Sequence, residues 1–209
     1  YSLRQDPTKS ATKNASLSSV GINWTDKKYY VGLAQETHND YFAVSGTAST
    51  AAAGSMYNAA AGLRSKDTAT RFSVGYRVTG MRIGADTSTL KYTETSAQAN
   101  GFQSYTTNTW QVTGEYDLNS QVTLAAQYAN NGAGNCTLNG TISCSTVGLG
   151  GNLVGFGAKY NLDRNFAIFA LAAKGSANSG ASISLGSGAG RTAIGGTINA
   201  AAVGIQARF

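Results

Sequence analysis

Three kinds of residue in this sequence could carry chemistry: a cysteine pair, a lone histidine, and charged residues at alternate positions of apolar runs. Cys136 and Cys144 stand in NCTLNGTISC, with seven residues between them and the turn-forming pair Asn139-Gly140 in the middle. In an oxidising compartment that spacing favours a disulfide. The alternative, a metal pair, has no accompanying histidine or acid cluster. The disulfide is therefore expected, stiffening one loop with only a modest entropic effect because the loop it closes is small. His38 is the only histidine. A hydrolase would need it near a serine nucleophile. Beside Asn39 and Asp40 at the end of an apolar run, it reads instead as a solvated loop residue. The Gly-rich stretches 148–155 and 186–196 do not follow a strand-to-helix pattern, so they are not phosphate loops. No reaction and no cofactor are expected.

The charged residues are more telling. Arg71, Arg77, Arg82, Lys159 and Arg208 fall opposite in parity to neighbouring apolar residues, as do Glu36, Asp86 and Glu115. Side chains alternate across a strand with period 2, so these charges share the face that the apolar residues leave. Burying Arg or Lys in hydrocarbon costs roughly 2–4 kcal/mol at a bilayer midplane. They should therefore line water. Such a wall orients or selects passing ions, or simply holds solvated pairs; the two roles are compatible. Five bases against three acids give an expected weak preference for anions.

The elements that must position them read as strands. Period-2 alternation predicts strands at about 16–24, 29–36, 68–78, 81–93, 107–118, 121–129, 153–162, 165–174 and 199–209. In 68–78, Phe72, Val74, Tyr76 and Val78 oppose Arg71, Ser73, Gly75 and Arg77. In 199–209, Ala201, Val203, Ile205, Ala207 and Phe209 form one face. The strand at 165–174 alternates poorly because both faces are apolar. Short turns fall at Thr25-Asp26-Lys27-Lys28, Thr79-Gly80, Asn119-Ser120 and Asp163-Arg164. Long connections fall at 37–67, 94–106, 130–152 and 175–198. Aromatics gather where strands enter or leave an apolar band, as membrane interfaces favour.

Composition agrees. The 209 residues include 26 Gly and 11 Tyr, and 12% are charged, against about 25% in an ordinary soluble domain. The longest apolar run, 166–173, has eight residues, and a membrane helix needs about 20. The formal net charge is +6, but the 16 Lys and Arg are scattered, with no run beyond Lys27-Lys28. Scattered cations in strands do not make a nucleic-acid stripe, so no nucleic-acid partner is expected. The expected fold class is all-β: an antiparallel transmembrane β-barrel with short turns on one side and long loops on the other. The chain opens at Tyr1 without Met or a leader. A removed signal peptide or a missing amino-terminal part is expected, so 1–209 reads as a single barrel domain incomplete at its amino-terminus.

At this point the residues resemble a family. GLRSKDTATRFSVGYRVTGMRIGADTSTLKY (62–92) looks like the loop and hairpin of Gram-negative general porins of the trimeric proteobacterial type. VGLAQETHNDYF (31–42) is similar to an upward strand entering an outer loop, NLVGFGAKYNLDRNFAIFALAAK (152–174) to the penultimate hairpin, and GIQARF (204–209) to the terminal strand. Phe209 resembles the insertion signal of outer-membrane barrels. The resemblance implies that about nine carboxy-terminal strands of a 16-stranded barrel are present. It implies a passive diffusion pore for small hydrophilic solutes and ions, integral to the outer membrane, with long loops outside and short turns periplasmic. It also implies a homotrimer, contacts with outer-membrane lipid and lipopolysaccharide, and insertion by the barrel-assembly machinery. The alternative is a small non-conducting barrel serving as anchor, adhesin or envelope stabiliser. Nine strands leave two unpaired edges, so an open sheet is expected, with a preceding strand whose tail is at about 1–4.

Overall fold

A computed structural model of the chain describes residues 2–5, 16–39, 65–94, 102–138, 142–183 and 192–207. They form twelve strands: β1 (Ser2–Gln5), β2 (Ser16–Thr25), β3 (Tyr29–Asn39), β4 (Ser65–Val78), β5 (Met81–Glu94), β6 (Phe102–Asp117), β7 (Val122–Asn131), β8 (Asn135–Leu138), β9 (Ile142–Cys144), β10 (Gly151–Asn161), β11 (Phe166–Ala177) and β12 (Thr197–Ala207). Ten run in one path, β1-β2-β3-β4-β5-β6-β7-β10-β11-β12, each antiparallel to the next. β1 and β12 each have a single neighbour, so the described sheet is open. All nine expected strands are present, and β1 supplies the expected preceding strand.

The short turns use one repeated device. Asp26 Oδ1 accepts the backbone N–H groups of Lys28 and Tyr29, each at 2.6 Å. Asn119 Oδ1 accepts those of Gln121 and Val122 at 2.9 and 2.8 Å. Asp163 Oδ1 accepts those of Asn165 and Phe166 at 2.6 and 2.8 Å. Short polar side chains that bond the backbone two and three residues on are turn formers for this reason. The fourth turn, Thr79-Gly80, is a two-residue loop closed by the pair Val78 and Met81. Gly80 has φ 74° there, a conformation that costs an L side chain about 1–2 kcal/mol.

Directly opposed residues of an antiparallel pair share a face, so the register fixes two continuous faces. On one lie Ile22, Leu33 and Phe72; Trp24, Val31, Val74, Ala85, Val112, Tyr128 and Val154; and, further along, Ile168 with Ile205 and Ala170 with Val203. These apolar side chains are uncovered: Phe156 is 63% exposed, Ile205 72% and Val203 83%. Only Cys136, Leu138 and Ala167 are buried hydrophobics among the described residues. A sheet with one apolar face, and no second layer over it among the described residues, suits hydrocarbon, not water. Aromatics border the band at both ends. Tyr29 and Tyr76 pair at 5.3 Å near the short turns, and Trp110 and Tyr128 at 5.2 Å near the other end. Beyond Phe72 and Trp110 the same face turns polar at Thr70, Asn108 and Asn130.

The structure departs from the sequence reading in three places. The connection 130–152 contains a hairpin, β8–β9, which lies off the main path with β8 paired to β6. That pairing extends β6 down to Phe102, and β4 begins at Ser65 instead of 68. These strand tops lie past the apolar band, where hydrophobic alternation stops. His38 is not a solvated loop residue. It lies within β3, with a side chain only 14% exposed.

Candidate functional site

The second face is polar, and it gathers the charges. Register places Arg71, Arg77, Arg82, Asp86, Glu115 and Lys159 all on it, along with Glu36. Arg208 and Phe209 lie outside the described residues. Each charge is aimed by the parity of its strand: Arg71 and Arg77 by β4, Arg82 and Asp86 by β5, Glu115 by β6 and Lys159 by β10.

The middle strands bring seven side chains together in two clusters. Arg71 Nη2 lies 3.0 Å from Asp86 Oδ2, and Gln111 Nε2 donates to that same oxygen at 2.6 Å. Arg82 reaches Glu115 Oε2 at 3.2 Å and Asp117 Oδ1 at 3.6 Å. Thr123 Oγ1 donates to Asp117 Oδ1 at 2.8 Å. The Arg71 and Arg82 side chains are about half exposed, so each pair contributes only about 0–1 kcal/mol after solvent screening. These pairs hold side chains in place more than they hold the sheet together. Among the described residues, Arg77 and Lys159 have no carboxylate within salt-bridge distance. Lys159 stands apart from the arginines, opposite Thr123 on β7 and Phe169 on β11.

Glycine keeps this wall low. A methyl at Gly204 would collide with the ring of Phe169, its cross-strand partner on the polar face. A methyl at Gly157 would meet Leu171 Cδ2 at 2.8 Å, and one at Gly32 would meet the Tyr30 hydroxyl at 2.6 Å. Large side chains thus lie flat over glycines, which explains why the poorly alternating β11 still fits: Phe169 and Leu171 rest on the polar face above Gly204 and Gly157.

Sequence reasoning missed part of the wall. Asp117 shares the parity of Glu115 and could have been found from it. Asp67 and Glu94 also face this side; each lies just outside the strand bounds read from the sequence. With them, the wall from β2 to β12 carries six acids (Glu36, Asp67, Asp86, Glu94, Glu115 and Asp117) and four bases (Arg71, Arg77, Arg82 and Lys159). The charges are segregated. Glu36, Asp67 and Glu94 sit at the end remote from the short turns, and the unpaired cations sit nearer the turns.

Cys136 and Cys144 are joined as a disulfide, with Cα atoms 5.4 Å apart. They are directly opposed on β8 and β9, so the bridge ties that hairpin, which in turn lies against the top of β6.

No protein-family model and no curated protein matches the chain. Among solved structures, the chain is similar to OmpT, an outer membrane protein of Vibrio cholerae, with TM-score 0.65 at 13% identity over 98% of this chain. The chain spans 59% of that protein's length. The likeness is one of fold: an all-β antiparallel sheet of the outer-membrane β-barrel type.

Proposed function

We propose that this chain forms much of the wall of an outer-membrane pore, similar to the general porins, through which small hydrophilic solutes and ions diffuse passively. The observation that carries the reading is the two-faced sheet of ten continuous strands. One face is apolar and uncovered; the other bears partly exposed charges. Barrels of about eight strands fill their interiors with side chains, and larger ones leave an aqueous channel. Ten strands already exceed that number, and an unpaired backbone group costs several kcal/mol in hydrocarbon, so the two edges, each with one neighbour among the described residues, fit a sector of a wider barrel. That favours a water-filled lumen over the small non-conducting anchor.

In this reading the mechanism has no chemical step and needs no cofactor. Solutes cross along the polar face. The cations Arg77 and Lys159 attract anions in the half near the short turns, and the acidic rim opposes them at the other end. The short turns face the periplasm, and the strand ends remote from them face outward. The apolar face contacts lipid and lipopolysaccharide. The resemblance to general porins extends the proposal to a homotrimer inserted by the barrel-assembly machinery.

Single-channel recording of the intact protein in planar bilayers tests the function. Stepwise ohmic currents are expected. A purified, folded protein that inserts yet passes no current would favour the anchor.

A further inference from the structure

His38 lies one residue from the end of β3, on the polar face. Its rung runs from Leu17 on β2 through His38 to Asp67 on β4 and Tyr92 on β5. Asp67 is five residues beyond Phe72, the last large apolar side chain of β4 on the lipid-facing side. That is about 17 Å further along the strand, past the membrane-spanning part. The His38 side chain is 14% exposed and that of Asp67 8%.

The ring is held on both sides. Nε2 lies 2.8 Å from Glu36 Oε1, and Nδ1 lies 2.8 Å from Asp67 Oδ2. A neutral imidazole carries one N–H and a bare lone pair on its other nitrogen. A lone pair facing a carboxylate oxygen at that distance is repulsive. Both contacts attract together only when the trio holds one proton more than two carboxylates and a neutral ring. That proton resides on the second ring nitrogen or on a carboxylate.

The surroundings make its loss costly. From β2, Ser19 Oγ donates to Glu36 Oε2 at 2.9 Å. From β5, the Tyr92 hydroxyl donates to Glu94 Oε1, and Glu94 is buried. Lys66 and Lys91, the nearest cations on β4 and β5, lie on the opposite face. Asp67 Oδ1 and Glu94 Oε2 are buried without a hydrogen-bond partner among the described residues. Removing the proton leaves Glu36 and Asp67 on either side of a neutral ring. Burial pushes the Asp67 carboxyl above its usual range; the His38 charge pulls it down, and Glu36 adds to the rise. The trio is not a metal cage, since the ring lies between the carboxylates. Among the described residues, no cluster of three or more His, Cys, Asp or Glu is placed to hold a metal ion.

We propose that Glu36, His38 and Asp67 form a proton-held clasp at the rim of the sheet, fastening the ends of β3 and β4 in acid and releasing them as the proton leaves. A carboxyl held above its ordinary value contributes fully at low pH, and that contribution is lost as pH rises through the raised value. The clasp needs only the register of β2 to β5. A failure to conduct would leave it standing, and a failed clasp would leave the pore standing.

Amide hydrogen exchange of the intact, membrane-inserted protein tests it. The readout is protection at residues 36–39 relative to residues 31–33 on the same strand. As pH rises from acid through the raised Asp67 value, this relative protection should fall severalfold. In Asp67→Asn and His38→Gln the fall should vanish, with protection at 31–33 unchanged. Where those variants do not fold, the ring nitrogens of the single histidine serve in the wild type. Their chemical shifts, which sense proton loss from the ring or from a carboxylate beside it, should move with the same midpoint as the loss of protection. A pH-independent ratio, a fall that persists in both variants, or separate midpoints would overturn the clasp.

Discussion

Arg77 and Arg82 stand directly opposite each other across the β4–β5 ladder on the polar face, and only Arg82 is neutralised, by Glu115 at 3.2 Å and Asp117 at 3.6 Å. Like charges directly opposed destabilise a sheet by roughly 0.2–1 kcal/mol. An unpaired arginine kept at such a position projects net charge into the space the wall faces.

Arg77→Gln should therefore shift ion preference toward cations while leaving stability unchanged or raising it by a few tenths of a kcal/mol. Arg82→Gln leaves two carboxylates without their cation and should lower stability by up to about 1 kcal/mol. Reversal potentials in a salt gradient and urea midpoints measure both. A larger stability loss for Arg77→Gln than for Arg82→Gln would contradict this assignment.

The face assignment is checked at two adjacent residues. Ala126 is opposed to Gly114 and Phe156 on the apolar face, and Ala125 to Glu115 and Gly157 on the polar face. Ala126→Arg should cost about 2–4 kcal/mol in a bilayer. Ala125→Arg should cost little, since it meets water and the Glu115 carboxylate. Urea unfolding from lipid vesicles reads both, and equal penalties would mean that the faces are misassigned.

The turn at Asp26 carries a pH dependence. Its two backbone N–H bonds, to Tyr29 and Lys28, hold the carboxyl below its usual range. The turn is therefore firm above the ordinary carboxylate range, and it loosens as pH falls through the lowered value. Amide exchange at Lys28 and Tyr29 should quicken in acid beyond the intrinsic rate. Asp26→Asn, which keeps an accepting oxygen as Asn119 does in its own turn, should remove that acid response. Persistence of the response in Asp26→Asn would place its origin elsewhere.

Reducing the Cys136–Cys144 bridge should act locally. The chain-entropy effect for so short a loop is about 2.5 kcal/mol at most, and it falls on a hairpin outside the main path of the sheet. Exchange at Tyr105 and Thr106, which pair with β8, should rise on reduction, while that at Val112, paired with β5 and β7, should not. Global loosening would show that the hairpin supports more of the sheet than its pairing suggests.

The sequence made the strands inside the apolar band legible because a single residue's parity decides whether it meets lipid or water. Hence Arg71, Arg77, Arg82, Asp86, Glu115 and Lys159 could be assigned to one face without coordinates. The strand tops were not legible. At Ser65 to Asp67 and Phe102 to Thr106, both faces are largely polar, so no period marks the strand. β8 and β9, with four and three residues, are too short to show alternation and depend on β6 and the disulfide. The contact between His38 and Asp67 joins residues on either side of the long 40–64 connection, and only the β3–β4 register reveals it.

Thiol block of single-channel current tests most directly whether the polar face lines an open aqueous path. Cysteine placed at Gln127 on the polar face, and separately at Phe156 on the apolar face, would be exposed to a charged, water-soluble thiol reagent during recording of the intact protein. The Cys136–Cys144 bridge stays oxidised and unreactive throughout. A stepwise drop in current is expected for Gln127→Cys and none for Phe156→Cys. Block at Phe156→Cys with none at Gln127→Cys, or the absence of any current from inserted protein, would contradict an open path along that face.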